Sequence, residues 1–327
     1  MNREACKRRL EEVIDARRQV YLDLGEKIYK NPETGYQEKE TTKTLADALE
    51  GLGLRTERGI AYTGCRAYGN EKKKGPKVAV LGELDALLCP SHPDCKRENG
   101  AMHACGHNIQ TTVMYGVADA LVRSGVLEAL DGAVDFMAVP AEEVIELDYR
   151  KTLKDAGKIR YYSGKTELIA KGAFDDVDIC MMVHNFPFDQ PGIKMAPYTS
   201  SNGFVEKHTI FMGKQSHAGQ APWDGINALN MASLAISAMH YQRETFKDSD
   251  TVRVHQIITK GGDVVNSVPD RVEMETTIRA NNMVALMDAN QKVNRSIRAG
   301  AVALGGKAQV IDSPGQLPIV PDRNLAE

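Results

Sequence analysis

Three short apolar runs constrain this chain more than any other feature: Lys77-Val-Ala-Val-Leu81, Ala133-Val-Asp-Phe-Met-Ala-Val139 and Ile179-Cys-Met-Met-Val183. The first two are separated by a segment with helical period from about Ile109 to Arg123. Short apolar strands alternating with helices are the pattern of an α/β layer, a mostly parallel sheet with helices on both faces. Polar residues follow these runs in a regular way. Asp85 comes after the first, Glu142 and Glu143 after the second, His184 at the end of the third, and Cys105 and His107 just before the intervening helix. Ligands of open α/β sheets sit at the carboxyl ends of the strands, so separate segments deliver metal-ligating side chains to one edge.

Their chemistry is specific. In His103-Ala-Cys-Gly-His-Asn108 a thiolate and an imidazole two positions apart can close on one ion, and the glycine between them permits a tight turn. Asn108 is expected to cap the following helix. Adjacent carboxylates leaving a strand point in different directions, so of Glu142 and Glu143 one can bind metal while the other contacts a water. Asp85 suits a carboxylate that fixes a ligand histidine. The set describes a metal-dependent hydrolase. A rival is Cys89-Pro-Ser-His92-Pro-Asp-Cys95, which resembles half of a structural zinc site, although its prolines favour a surface loop and no second ligand pair follows.

The remaining texture suggests two domains for 327 residues. Leu10, Val13, Ile14, Tyr21, Leu24 and Ile28 recur at helical spacing, as does a run from Thr44 to Leu52. From about residue 198 strands are expected at Phe204 to Met212, Thr251 to Ile258, Arg271 to Arg279 and Lys307 to Ile311, with helices from Ile226 to Tyr241 and Val284 to Leu304. The order βαββαβ is that of a ferredoxin-like domain. The boundaries are drawn at 1–197, 198–312 and 313–327. A net charge of -3, with 41 basic and 44 acidic residues interspersed, argues against a nucleic-acid partner. The polar start and the lack of any run of roughly 18 apolar residues argue against a signal peptide or membrane span. A cytoplasmic protein is expected, its six cysteines not forming a disulfide framework.

Taken together, the chain resembles the metal-dependent aminoacylases and carboxypeptidases, in the amidohydrolase branch that holds aminobenzoyl-glutamate hydrolase, N-acyl amino acid hydrolases and auxin-conjugate hydrolases. The matching pieces are Asn31-Pro-Glu-Thr-Gly-Tyr-Gln-Glu38, Gly82-Glu-Leu-Asp-Ala-Leu87, Met102-His-Ala-Cys-Gly-His-Asn108, Pro140-Ala-Glu-Glu143, His184-Asn-Phe-Pro187, Ser216-His-Ala-Gly219 and Asn266-Ser-Val-Pro-Asp270. The resemblance implies a catalytic domain with two divalent ions, zinc or manganese, interrupted by a ferredoxin-like lid that forms a homodimer. It implies Cys105, His107, Glu143 and His184 as metal ligands, Glu142 as general base and Asp85 as the residue holding the site in register. It further implies that His217 reaches the partner's active site, and that Asn266 and Arg279 grip the substrate carboxylate. The implied reaction is hydrolysis of the amide between an acyl, aroyl or aminoacyl group and an amino acid with a free carboxylate. Asn108, where auxin-conjugate hydrolases have aspartate, points to the aminobenzoyl-glutamate and dipeptide side. The family closes with a segment carrying one more metal histidine, whereas all eight histidines here lie at or before His255. Residues 313–327 are therefore expected to begin that returning segment and stop short. The alternative is an incomplete, non-catalytic member acting as a binding or accessory protein.

Overall fold

A computed structural model describes residues 2–185, 200–320 and 322–326. It divides into two compact units, Met1–Pro191 and Gly192–Glu327. The boundary expected near residue 198 lies outside the described residues, as do Phe186 and Pro187 of the His184 motif.

The first unit runs α1 (Arg3–Ala16), α2 (Arg18–Tyr29), α3 (Lys39–Glu50), β1 (Arg55–Ile60), β2 (Gly64–Gly69), β3 (Lys77–Glu83), β4 (Leu87–Leu88), β5 (Ala101–Met102), α4 (His107–Arg123), α5 (Val126–Ala129), β6 (Ala133–Val139), α6 (Leu147–Asp155), α7 (Gly164–Ala170) and β7 (Ile179–Met182). Its main sheet has the order β1-β2-β6-β3-β7. The three apolar runs form its parallel part, with β3 between β6 and β7. An antiparallel hairpin, β1 and β2, extends the edge beside β6.

All seven residues of β6 are buried. Val134, Phe136 and Ala138 pack into one core with Leu45, Leu49 and Met114, while Met137 and Val139 pack into another with Leu81 and Leu168. Helices therefore cover both faces, which is why this strand is continuously apolar. Each large side chain so buried contributes about 1.5–3 kcal/mol. The exception is Asp135, fully buried in β6 and paired with Arg66 of β2.

The periodic stretch from Leu10 to Ile28, expected as one helix, is broken at Arg17 between α1 and α2. The Arg17 guanidinium there pairs with Asp119 of α4, which is fully buried and also accepts from Tyr21 (2.8 Å) and Arg123 (2.7 Å).

The second unit contains β8 (Gly203–Met212), α8 (Ala228–Tyr241), β9 (Arg253–Lys260), β10 (Arg271–Ala280), α9 (Met283–Ala303), β11 (Lys307–Pro314) and the short α10 (Arg323–Ala326). Its antiparallel sheet has the order β11-β8-β10-β9, the ferredoxin-like arrangement. Val272, Met274 and Ile278 of β10 join Met231, Ala235, Leu286, Ala289 and Val293 of the two helices in one core. After β11, Gln316 accepts from the Phe204 backbone N–H (2.8 Å) and the Ile319 N–H donates to Ser201 (3.2 Å), so this tail continues along the same unit. Among the described residues no helix is long and apolar enough to cross a membrane.

Candidate active site

Because β3 is parallel to both its neighbours, the carboxyl ends of β6, β3 and β7 lie on one edge. Glu83 closes β3, and Leu84 continues the pairing by donating to the Val139 carbonyl (2.9 Å), which places Asp85 just beyond the sheet. After β6, Ala141 adopts a left-handed conformation (φ 50°), and its N–H donates to buried Glu38 at 2.7 Å. That turn launches Glu142 and Glu143.

Helix α4 begins at His107, one residue earlier than expected, with Gly106 at the cap position (φ 82°). Asn108 is thus not the N-cap; its side chain reaches the Gly25 carbonyl at 3.4 Å. Two glycines bring the segments together. A Cβ on Gly82 would stand 2.9 Å from the Thr111 Cα, so its absence lets α4 lie against the end of β3. A Cβ on Gly106 would stand 2.1 Å from the Asn185 Oδ1, so this glycine also lets the segment after β7 approach.

His107 is the centre of the site. Its Nδ1 faces the Asp85 backbone carbonyl at 2.8 Å and the Asp85 carboxylate at 3.2 Å. With the ring proton held there, the Nε2 lone pair is directed at the cluster. Nε2 is buried without a hydrogen bond and lies 3.1 Å from a Glu83 oxygen and 3.9 Å from a Glu142 oxygen. Two sets of ligand atoms lie within 4.8 Å of one another: Cys105, His107 and His184, and Glu83, His107 and Glu142. An orphaned imidazole nitrogen among a thiol, a second imidazole at 3.5 Å from it and two carboxylates is a donor set that could hold divalent ions.

The charges agree with this reading. His107 and His184 hold the Cys105 thiol down at about 6, within reach of the thiolate a metal needs. Glu143 is pushed up to about 9, first by burial and then by Glu142, Cys105 and Asp85. Glu142 is raised by burial and by Glu83. His184 is raised to about 9, chiefly by Cys105. His107 is raised despite its burial, by Asp85, Cys105 and Glu83. Buried anions here draw positive charge, and a divalent ion can replace the protons that otherwise supply it.

Of the expected ligands, the fold gathers Cys105, His107 and His184. The Glu143 carboxylate belongs to neither cluster; the Glu143 N–H donates to Asp85 at 2.9 Å. Cys89, His92 and Cys95 form no such cluster among the described residues. The Cys95 thiol instead meets the Pro90 carbonyl at 3.4 Å, and His92 Nδ1 accepts from the Asp94 N–H.

Within the second unit, His217 Nδ1 accepts backbone N–H groups from Gly219 (3.2 Å) and Gln220 (3.1 Å), which leaves the proton on Nε2. Asn266 is beside it, its carbonyl accepting from the Ala218 N–H at 2.9 Å. Arg279 is exposed near the far end of β10, its guanidinium 5.2 Å from the Phe204 ring centroid. At roughly 3.3 Å per residue, eight residues of strand separate it from Arg271 by about 26 Å. Arg279 is therefore not brought to His217 and Asn266 within this unit.

Three participants escaped sequence reasoning. Glu83 and Asp85, two apart at a strand end, share a face, which was a usable signal. Glu38 supports the Ala141 turn, and Lys165 pairs with Glu83. Neither announces itself in the sequence.

Comparison with known proteins fits this geometry. A family model described as a peptidase dimerisation domain matches residues 199–303. The mouse protein named Xaa-Arg dipeptidase is 30% identical over 98% of this chain and 69% of its own length. The chain belongs to the M20 family. Another relative, a p-aminobenzoyl-glutamate hydrolase from Escherichia coli, is 29% identical over 90% of the chain, which spans 57% of that protein. Two solved structures share the fold. A putative aminohydrolase from methicillin-resistant Staphylococcus aureus has a TM-score of 0.74 at 21% identity, covering 98% of this chain and 81% of its own. A Bacillus subtilis structure described as a dinuclear metal-binding M20 peptidase has a TM-score of 0.62 at 24% identity, covering 95% and 78%.

Proposed function

We propose that this M20 protein hydrolyses the amide bond between an acyl, aroyl or aminoacyl group and an amino acid with a free carboxylate. The observation that carries the reading is the convergence of Cys105, His107 and His184 with Glu83 and Glu142 at one sheet edge. Its relatives include proteins named as a dipeptidase, an aminobenzoyl-glutamate hydrolase and an N-acetylcysteine deacetylase. None of these names favours a binding or accessory role.

In the proposed assignment Cys105, His107, Glu143 and His184 hold two divalent ions, zinc or manganese. Glu143 is included for its place in the Pro140-Ala-Glu-Glu143 motif; as a carboxyl buried mainly among anions it would ionise beside a cation. When bound, the ions supply Lewis acidity that activates water and polarises the scissile carbonyl. Glu142 takes the proton of the attacking water and returns it to the departing amine. Asp85 keeps His107 in the ligating tautomer and holds the Glu143 backbone. His217 donates from Nε2 to the developing oxyanion across a homodimer, while Asn266 and Arg279 bind the substrate carboxylate. The proposed domains are catalytic 1–197, lid and dimerisation 198–312, and a return toward the catalytic domain from 313. Six cysteines, all unpaired, suit a cytoplasmic setting.

The test is Glu142→Gln. Amine release from N-acyl amino acids and dipeptides should fall at least 1,000-fold, on the order expected for a lost general base, while metal content stays as in the wild type. Turnover within a few-fold of wild type would remove Glu142 as the base.

A further inference from the structure

Helix α7 is fastened to the segment that carries Glu142. The Gly164 N–H donates to the Ala141 carbonyl at 3.0 Å, and a Cβ on Gly164 would lie 1.7 Å from the Pro140 carbonyl oxygen. Glu167 ties down the approach to the helix by accepting from the Arg160 and Tyr161 N–H groups at 2.8 and 3.0 Å. Leu168 is buried against Leu81, Met137 and Val139 of the two central strands. This framework leaves Lys165 little choice of position. Its ammonium forms an ion pair with Glu83 and stands 3.8 Å from a Glu142 oxygen. Glu83 is itself almost wholly buried, and its other oxygen accepts from Gln110 at 2.9 Å and faces His107 at 3.1 Å.

We infer that Lys165 is a positioning residue of the active site: by bridging Glu83 and Glu142 it fixes the Glu142 carboxylate at its working place and keeps Glu83 from competing for a metal ion. The first half rests on the role proposed above for Glu142; the second does not. A flexible carboxylate beside a second one is driven away by like charge, and a shared ammonium removes that repulsion. Because the lysine comes from a different element than either glutamate, its effect is exerted through them, not through substrate.

Lys165→Met tests both halves, with Lys165→Gln as a second neutral variant should the methionine chain fail to fold. The expected result is a kcat reduced at least tenfold at unchanged KM, with cobalt(II) bound at least threefold more tightly in chelator competition because Glu83 is released. Lys165→Arg should recover most of kcat. In a Glu142→Gln background the Lys165→Met change should cost nothing further, since the lysine acts through that carboxylate. Weaker cobalt binding, a kcat within twofold of wild type, or a full additional loss in the Glu142→Gln background would overturn the inference. A wild type that releases no amine would instead overturn the hydrolase reading and leave the cobalt measurement to decide the role of Lys165.

Discussion

Asp85→Asn is the most informative perturbation of the site's supports. The carboxylate is fully buried and serves two donors at once, the Glu143 N–H at 2.9 Å and His107 Nδ1 at 3.2 Å. An asparagine offers one acceptor oxygen and one donor nitrogen, so one of the two contacts becomes donor against donor. If the amide oxygen stays on His107, the Glu143 backbone loses its partner; if it turns, the imidazole does. Loss of such a supporting hydrogen bond typically weakens metal binding 10–100-fold, or about 1.4–2.8 kcal/mol. The Asp85 carbonyl remains 2.8 Å from Nδ1 and still favours the ligating tautomer, so the lower end applies, about tenfold. Zinc competition against a chromophoric chelator at neutral pH reads this directly, with thermal unfolding as the check on folding. A folded variant that binds zinc within twofold of wild type would refute the claim that Asp85 orients His107.

Glu38 makes stability pH-dependent. Burial, then Asp85, pushes its carboxyl up to about 7 from 4.5, so the folded protein keeps a proton that the unfolded chain releases. Its stabilising contribution is whole below about pH 4.5 and declines as pH rises to about 7, by on the order of 3 kcal/mol. Urea unfolding of metal-free wild type minus Glu38→Gln should show that decline, and a difference flat or rising with pH would contradict it. Gly106→Ala forces a side chain into a left-handed residue and against Asn185. It should cost about 1–3 kcal/mol and abolish tight zinc binding, whereas a variant with wild-type melting and affinity would show that the close approach is not needed.

The readable parts of the fold are those where burial alone sets the pattern. Val272, Met274, Thr276 and Ile278 alternate in the sequence and are all buried on the core side of β10. The runs of β3, β6 and β7 are apolar because they form the parallel part of the sheet, with β6 covered on both faces. The hairpin strand β1, Arg-Thr-Glu-Arg-Gly-Ile, is mostly exposed at a sheet edge and carries no such imprint. The break at Arg17 follows from the partner it finds in Asp119, about a hundred residues away, which no local period records. The same holds at the site. Cys105, His107 and His184 were visible because ligand types at strand ends are rare, whereas Lys165 sits in a seven-residue helix whose position depends on packing against Pro140 and Ala141. Asn108 looked like a cap, yet Gly106 takes the left-handed position and starts the helix one residue sooner.

The most direct test of a metal centre at this edge is a cobalt(II) titration followed by the thiolate-to-cobalt charge-transfer absorption. The band should grow to saturation in the wild type, persist when Cys89 or Cys95 is changed to serine, and vanish in Cys105→Ser. No band in the folded wild type, or a band that survives Cys105→Ser, would contradict the account.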